Sequence, residues 1–255
     1  MTTELAGRVA LVTGALGKLG PAWVGALAGA GATVIGIDLR PGKVDGAARV
    51  EVADVTDREA LLAVRERVEA EHGVPDVLVN NAGIDQPPDA DSATTAIEDV
   101  PLDDFRRTLD VNVSGTFLAM QVFGAPMRDA GRGSIVNIGS LYASIAADPS
   151  MYDHVAVDPP FLKPPAYGAS KAGTVNLTRY FARLWGPHGV RVNALSPGGV
   201  RGGQDDEFVR KFTARTPLGR LAETDDLTGP LLFLASDASR YVTGHELRVD
   251  GGFTA

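Results

Sequence analysis

Leu11-Val12-Thr13-Gly14-Ala15-Leu16-Gly17-Lys18-Leu19-Gly20 is the stretch that decides the fold. The apolar run Val9 to Val12 stops at a turn holding three glycines. A helix-like pattern follows, with Trp23, Val24, Leu27 and Ala30 on one side. A strand, a glycine-rich turn and a helix N-terminus make a pyrophosphate site, because free N–H groups and the helix dipole both favour negative charge. Gly14 permits the tight turn, Gly17 a close backbone approach, and Gly20 close packing of helix against strand. A second apolar run, Val34-Ile35-Gly36-Ile37, ends on Asp38. An acid at this spacing accepts hydrogen bonds from both ribose hydroxyls of NAD and repels the 2′-phosphate of NADP. Arg40 and Lys18 are the groups that could meet such a phosphate, so NAD is expected, with NADP as the alternative.

Outward from this stretch, strand-like runs alternate with helical patterns. The strands are Val9–Val12, Thr33–Ile37, Arg49–Val52, Val77–Asn80, Ser134–Ile138, Val190–Leu195 and Glu246–Val249. The helices are Lys18–Ala30, Asp57–His72, Leu102–Met127, Tyr167–Trp185 and Thr224–Leu234. Such alternation predicts an α/β chain, one Rossmann domain over residues 1–255, with a doubly wound parallel sheet of about seven strands flanked by helices. Ligands bind such sheets beyond the carboxyl ends of the strands, so functional residues belong in the turns that follow strands.

Composition narrows the function. A chain of 255 residues, 44% hydrophobic and 22% charged, builds a sizeable core. A net charge of −8 argues against nucleic acid and anionic membranes as partners. With no cysteine, disulfides, thiolate metal sites and cysteine nucleophiles are excluded. Met1-Thr2-Thr3-Glu4-Leu5 lacks the basic segment and apolar core of a signal peptide. No apolar stretch approaches the ~20 residues that span a bilayer. A cytoplasmic protein with a small-molecule substrate and no metal is expected.

Asn80-Asn81-Ala82-Gly83 follows the fourth strand; the asparagines can bond neighbouring backbone, and Gly83 leaves room for a flat ring. Ile84 to Asp99, acidic and holding Pro87-Pro88, reads as a surface loop. Asn112 interrupts the long helical pattern, where an asparagine is poor by propensity and, if buried, needs hydrogen-bond partners. Ser134–Ile138 leads to Ser140, and Tyr167-Gly168-Ala169-Ser170-Lys171 opens the next helix. Tyr167 and Lys171, at i and i+4, share a helix face. An ammonium there stabilises phenolate and draws the tyrosine from about 10 toward the range of a general base.

These residues, with Thr13-Gly14…Gly20, Asp54-Val55, Asn193, Pro197-Gly198 and Val249-Asp250-Gly251-Gly252, make the chain resemble the short-chain dehydrogenase/reductase family along essentially its whole length. The resemblance implies that Tyr167 exchanges the proton with the substrate oxygen and that Ser140 holds that oxygen. It implies further that Lys171 binds the nicotinamide ribose and tunes Tyr167, and that Asn112 holds a relay water. The dinucleotide would lie against Gly14, Leu16, Gly17, Lys18, Leu19, Asp38, Asp54, Val55, Asn81, Ala82, Gly83, Tyr167, Lys171, Pro197, Gly198 and Val200. The family's usual assembly is a homotetramer.

Two departures stand out. Lys18 replaces a glycine common in the turn, and Gly199-Val200-Arg201-Gly202 lacks a threonine that often contacts the nicotinamide amide. Between Ser140 and Tyr167 lie residues 141–166, 26 in all, a longer spacer than the family usually has. This spacer contains a proline-rich insert at 145–165, whose stiffness and anchoring suit a wall or lid over the substrate pocket. Tyr142, Tyr152 and His154, with Gln204 in a substrate loop at 198–216, are the candidate substrate contacts. They suit a polar, polyhydroxylated or acidic substrate. The insert and the 196–220 spelling resemble a subgroup of sugar and nonulosonate pathways, and gluconate 5-dehydrogenase-like enzymes have similar tails. The expected activity is NAD(H)-dependent interconversion of a secondary alcohol and a ketone on such a substrate. The alternatives are an NADP(H)-dependent 3-oxoacyl or small-ketone reductase and a non-catalytic dinucleotide sensor.

Overall fold

β1 (Val9–Thr13) is buried on both faces along its whole length, as a strand in the middle of a covered parallel sheet must be. The computed structural model describes residues 4–85 and 95–255. Residues 1–3, part of the start read against a signal peptide, and 86–94, which carry Pro87-Pro88, lie outside the described residues. β1 pairs in parallel with β2 (Thr33–Asp38) on one side and β4 (Val77–Asn80) on the other, with Val12 opposite Gly36 and Val79. Adding β3 (Ala47–Val52), β5 (Gly133–Ile138), β6 (Val190–Pro197) and β7 (Glu246–Val249) gives the order β3-β2-β1-β4-β5-β6-β7. Every pairing is parallel. The strand order reverses between β1 and β4, and the crevice beyond their carboxyl ends is the expected binding place.

Alternate side chains feed two cores. Leu11, Ile35, Leu78 and Ile135 pack on one face against Leu61, Met120, Phe123 and Phe181. Val12, Val34, Val79 and Val136 pack on the other against Trp23, Leu27 and Leu231. Helices α1 (Gly20–Gly29), α2 (Arg58–His72), α4 (Gly115–Ala119), α5 (Ala125–Asp129), α6 (Pro165–Trp185) and α8 (Asp225–Ala235) contribute to these cores, whereas α3 (Leu102–Leu109) does not. Helix α8 follows α7 (Asp206–Ala214).

The expected strands and helices are all present, with ends shifted by a few residues and three differences in kind. α1 starts at Gly20, not Lys18, because residues 16–19 belong to the turn. The long helix expected over Leu102–Met127 is a rod of α3, α4 and α5 joined by π-turns at Asp110–Ser114 and Met120–Gly124. The first π-turn holds the buried Asn112; such wide turns mark places where a helix yields to a local demand. Helix α7, inside the expected substrate loop, was not anticipated. Asp205 caps it by accepting from the Phe208 N–H at 2.8 Å.

Candidate active site

The glycine turn is shaped by contacts that leave no room for side chains. Gly14 has φ +64°, and a Cβ there would lie 2.8 Å from the Ala82 Cα. A Cβ on Gly20 would lie 2.3 Å from the Ala15 carbonyl oxygen. Gly20 therefore lets α1 close onto the turn itself, rather than onto the strand as expected. Backbone cannot rotate away, so Gly20→Ala is expected to displace the start of α1. The result should be a dinucleotide Kd weaker by about tenfold or more, read by NADH fluorescence titration.

Asn81 locks the turn from the β4 side. Its Nδ2 donates to the Thr13 and Gly14 carbonyls at 3.0 and 2.9 Å, and its Oδ1 accepts from Trp23 Nε1 at 2.8 Å. Thr13 Oγ1 accepts from the N–H groups of Asn81 and Ala82, both at 3.1 Å. Leu19, the residue before α1, has no side-chain capping bond, and the first turn holds no acid. An uncapped helix start beside Gly17 and Lys18 fits a pyrophosphate.

Asp38, at the end of β2, is buried; Oδ2 accepts from the Leu16 N–H at 2.9 Å and Oδ1 from the Arg40 N–H at 3.2 Å. Each oxygen keeps a lone pair for a ribose hydroxyl. Lys18 reaches the loop after β6: a Cβ on Gly202 would lie 2.4 Å from its Nζ. The lysine that could have met a 2′-phosphate thus bridges the turn to the substrate loop. Asp54 is a turn brace, its Oδ1 accepting from Thr56 N and Oγ1 at 2.8 Å, and Val55 packs where a Cβ on Gly115 would lie. Pro197 ends β6, Gly198 N–H donates to the Val249 carbonyl at 2.9 Å, and Val200 pairs with Ala222.

β5, α6 and the π-turn at Asp110–Ser114 bring the four candidate catalytic residues to the same edge. Ser140, one residue past Gly139 at the end of β5, accepts from the Tyr142 N–H at 3.2 Å. Lys171 Nζ donates to the Ile138 carbonyl at 2.8 Å and lies 5.7 Å from the centre of the Tyr167 ring. A Cβ on Gly83 would lie 3.1 Å from Asn112 Oδ1 and 3.7 Å from Lys171 Nζ, so Gly83 makes room for these two side chains. Asn112 braces the site: Oδ1 accepts from Ile84 N–H at 2.7 Å, and Nδ2 donates to the Ile84 carbonyl and Ser170 Oγ at 3.0 and 2.9 Å. Its carbonyl accepts from Thr116 and Thr174 hydroxyls at 2.8 and 3.2 Å, which occupies both lone pairs.

Burial governs the charge state. It pushes Tyr167 well above the ordinary phenol value, the Asp85 carboxylate adds to this, and the Ser140 hydroxyl acts against it. Burial also pushes Lys171 down to about 8, with Asp85 opposing. The expected lowering of Tyr167 by Lys171 is thus outweighed by desolvation, and the phenolate needs further positive charge.

The insert packs against α7. Tyr152 is buried, its ring 5.1 Å from Phe161 and 5.6 Å from Phe208. Leu141, Met151, Phe212 and Leu221 complete this third core. Arg215 bonds Asp148 at 2.6 Å, and Lys211 reaches the Ser150 carbonyl at 3.0 Å and Asp153. His154 holds Asp205 at 2.9 Å and Lys211 at 3.2 Å. Gln204 braces its own loop, donating to the Val200 carbonyl and accepting from the Gly202 N–H, both at 2.7 Å. Of the four candidate substrate contacts, only Tyr142 stands against the tyrosine, edge-on at 6.3 Å. Tyr152 and His154 have their groups engaged where the insert meets α7, and Gln204 in its own loop. Lys163, a polar group of the insert suited to a polar substrate, instead forms an ion pair with Asp85, which was not among the candidates, and covers the Tyr167 ring.

A cavity of about 560 Å³ opens elsewhere, near Arg8, Asp76, Arg191 and Tyr241, and contains none of the candidate residues. Among the described residues no group of acids and histidines is arranged to hold a metal, and no helix is long and apolar enough to cross a membrane.

Residues 14–254 match the family model described as Enoyl-(Acyl carrier protein) reductase. D-threitol dehydrogenase of Mycolicibacterium smegmatis is 37% identical, over 98% of this chain and 94% of its own length. A short-chain dehydrogenase from Leptospira borgpetersenii with bound NAD+ superposes with a TM-score of 0.87 at 35% identity, covering 99% of this chain and 94% of that one. A gluconate 5-dehydrogenase from Burkholderia cenocepacia, in complex with NADP and tartrate, gives 0.85 at 31%, covering 99% and 97%.

Proposed function

The chain belongs to the short-chain dehydrogenase/reductase family, and from that premise we propose that it uses NAD(H) to interconvert a secondary alcohol and a ketone on a polyol, sugar or sugar acid. The observation that carries this is the convergence of Ser140, Tyr167 and Lys171 at the carboxyl edge of β5, beside the uncapped glycine turn. The nicotinamide dinucleotide, when bound, supplies or accepts the hydride.

The chain's own residues hold and deprotonate the substrate. Ser140 and Tyr167 grip the reacting oxygen; Tyr167 takes its proton in oxidation and returns it in reduction. Lys171 would hold the cofactor ribose, and its ammonium adds positive charge near the phenol. Asn112, with side chain and carbonyl both engaged, braces the β4 loop against α6 rather than holding a relay water. A polar substrate is supported by Tyr142 and the Asp85–Lys163 pair around Tyr167, and by the activities named for the relatives. The exposed apolar residues Phe117, Tyr180 and Leu184 on α4 and α6 support a homotetramer.

Preference for NAD rests on Asp38, whose carboxylate is fixed by two backbone donors and would face a 2′-phosphate with like charge. Asp38→Ser should lower kcat/KM with NAD by about 10–100-fold, as loss of charged hydrogen bonds implies. It should raise the NADP-to-NAD ratio, with Arg40 left to meet the phosphate. A parent enzyme that prefers NADPH over NADH more than about tenfold would sink the NAD assignment.

A further inference from the structure

The insert delivers a lysine to the tyrosine that the proposed reaction uses. Pro164 and Pro165 carry the chain into α6, and Lys163, four residues before Tyr167, lies over its ring. The ammonium stands 4.8 Å from the ring centre, nearer than that of Lys171 at 5.7 Å. Only 6% of the Lys163 side chain is exposed, and its ion-pair partner is Asp85, two residues past Gly83 in the loop after β4. A strap that served packing alone would be better built from an apolar residue, since covering an ammonium costs desolvation. Here the charge is aimed at the ring that bears the reacting hydroxyl.

We infer that Lys163 is a positioning residue for proton transfer, its ammonium favouring ionised Tyr167, with Asp85 setting how much of that charge the tyrosine feels. The inference rests on the role proposed above for Tyr167. A cation within about 4–6 Å favours the charged form of a phenol by about 1–3 pH units. A lysine on an aromatic face is also attracted by the ring quadrupole, and more so once the ring carries negative charge. Asp85 opposes this, and its carboxylate pushes Tyr167 upward. The charged and titratable groups facing Tyr167 among the described residues are Lys171 from α6, Lys163 from the insert, Asp85 from the β4 loop, and Tyr142 beside Ser140, with Tyr152 behind Tyr142. Lys163 and Asp85 act by changing the potential at the phenol. Because the two charges act in opposite senses, their removal gives opposite results, which a strap with no electrostatic role would not produce.

The test is a spectrophotometric titration of tyrosine ionisation in the NAD+-saturated protein. Each spectrum is taken as the difference from its Tyr167→Phe counterpart, which isolates one tyrosine of five. Lys163→Met should raise the midpoint by about one pH unit or more. Lys163→Arg should return it toward the parent value, and Asp85→Asn should lower it. The basic limb of kcat/KM for alcohol oxidation should move the same way in each variant. Midpoints unchanged in both variants, or displaced in the same direction, overturn the inference. If Lys163→Met fails to fold by circular dichroism, Asp85→Asn decides: a lowered midpoint supports the inference and an unmoved one overturns it. The titration needs no turnover. A parent protein that oxidises no alcohol yet shows the opposed displacements would therefore refute the proposed function while leaving the electrostatic coupling of Lys163 and Asp85 to Tyr167 intact.

Discussion

Tyr167→Phe is expected to lower kcat by about 10²–10⁴-fold, the contribution of a positioned general acid–base group, while dinucleotide Kd stays near the parent value. The substitution removes one oxygen and keeps the ring that Tyr142 and Lys163 pack against. The turn, Asp38 and Lys171 stay as they are, so binding and chemistry should separate: kcat collapses and the cofactor still titrates. Stopped-flow single turnovers beside NADH fluorescence titration would make the distinction. Activity close to the parent's would mean that another phenol serves. Tyr142 is the nearer candidate, because Tyr152 is buried under Phe161 and Phe208.

Lys171→Met should abolish most turnover and, in the cofactor-free protein, raise stability at neutral pH. Burial holds Lys171 at about 8, well below the 10.5 of a free lysine. A lysine depressed in the folded state binds fewer protons there than in the unfolded chain between those two values. Stability of the parent therefore rises with pH across that window, and below about 8 the full cost of burying the charge is present. The difference of 2.5 pH units corresponds to about 3 kcal/mol. Methionine removes that cost but leaves the Ile138 carbonyl without its donor, a loss of about 1–3 kcal/mol. The variant should thus gain up to about 2 kcal/mol at pH 7, and the gain should shrink as pH rises toward 10.5. Thermal melts across pH check this; a variant that melts below the parent at pH 7 contradicts it. A residue that costs stability where it sits beside the reacting groups is what functional strain looks like.

The sheet was legible because its central strands β1, β2, β4 and β5 are apolar runs that halt at a glycine, an asparagine or an acid, next to the candidate site residues. The local motif of Tyr167 and Lys171 was legible for the same reason, since helix geometry alone aligns them. Long-range placement was less so. Tyr152 and His154 look like substrate contacts in the chain, yet packing against α7 turns the first into core and the second into a bridge between Asp205 and Lys211. The signal for α7 was present, with Asp205 as cap and Phe208 and Phe212 at i and i+4. Glycines and acids around it disguised it as loop. The sequence marks Lys163 as a polar group of the insert, but not its place over Tyr167, because its partner Asp85 is 78 residues away. Desolvation of Tyr167 is likewise a property of the assembled insert rather than of any motif.

Reduction of NAD+, followed by NADH absorbance over a panel of polyols, sugars, sugar acids and lipophilic secondary alcohols, tests the central claim most directly. The expected result is turnover on polyhydroxylated substrates that vanishes in Tyr167→Phe. Activity confined to lipophilic alcohols, or undiminished in that variant, would contradict it.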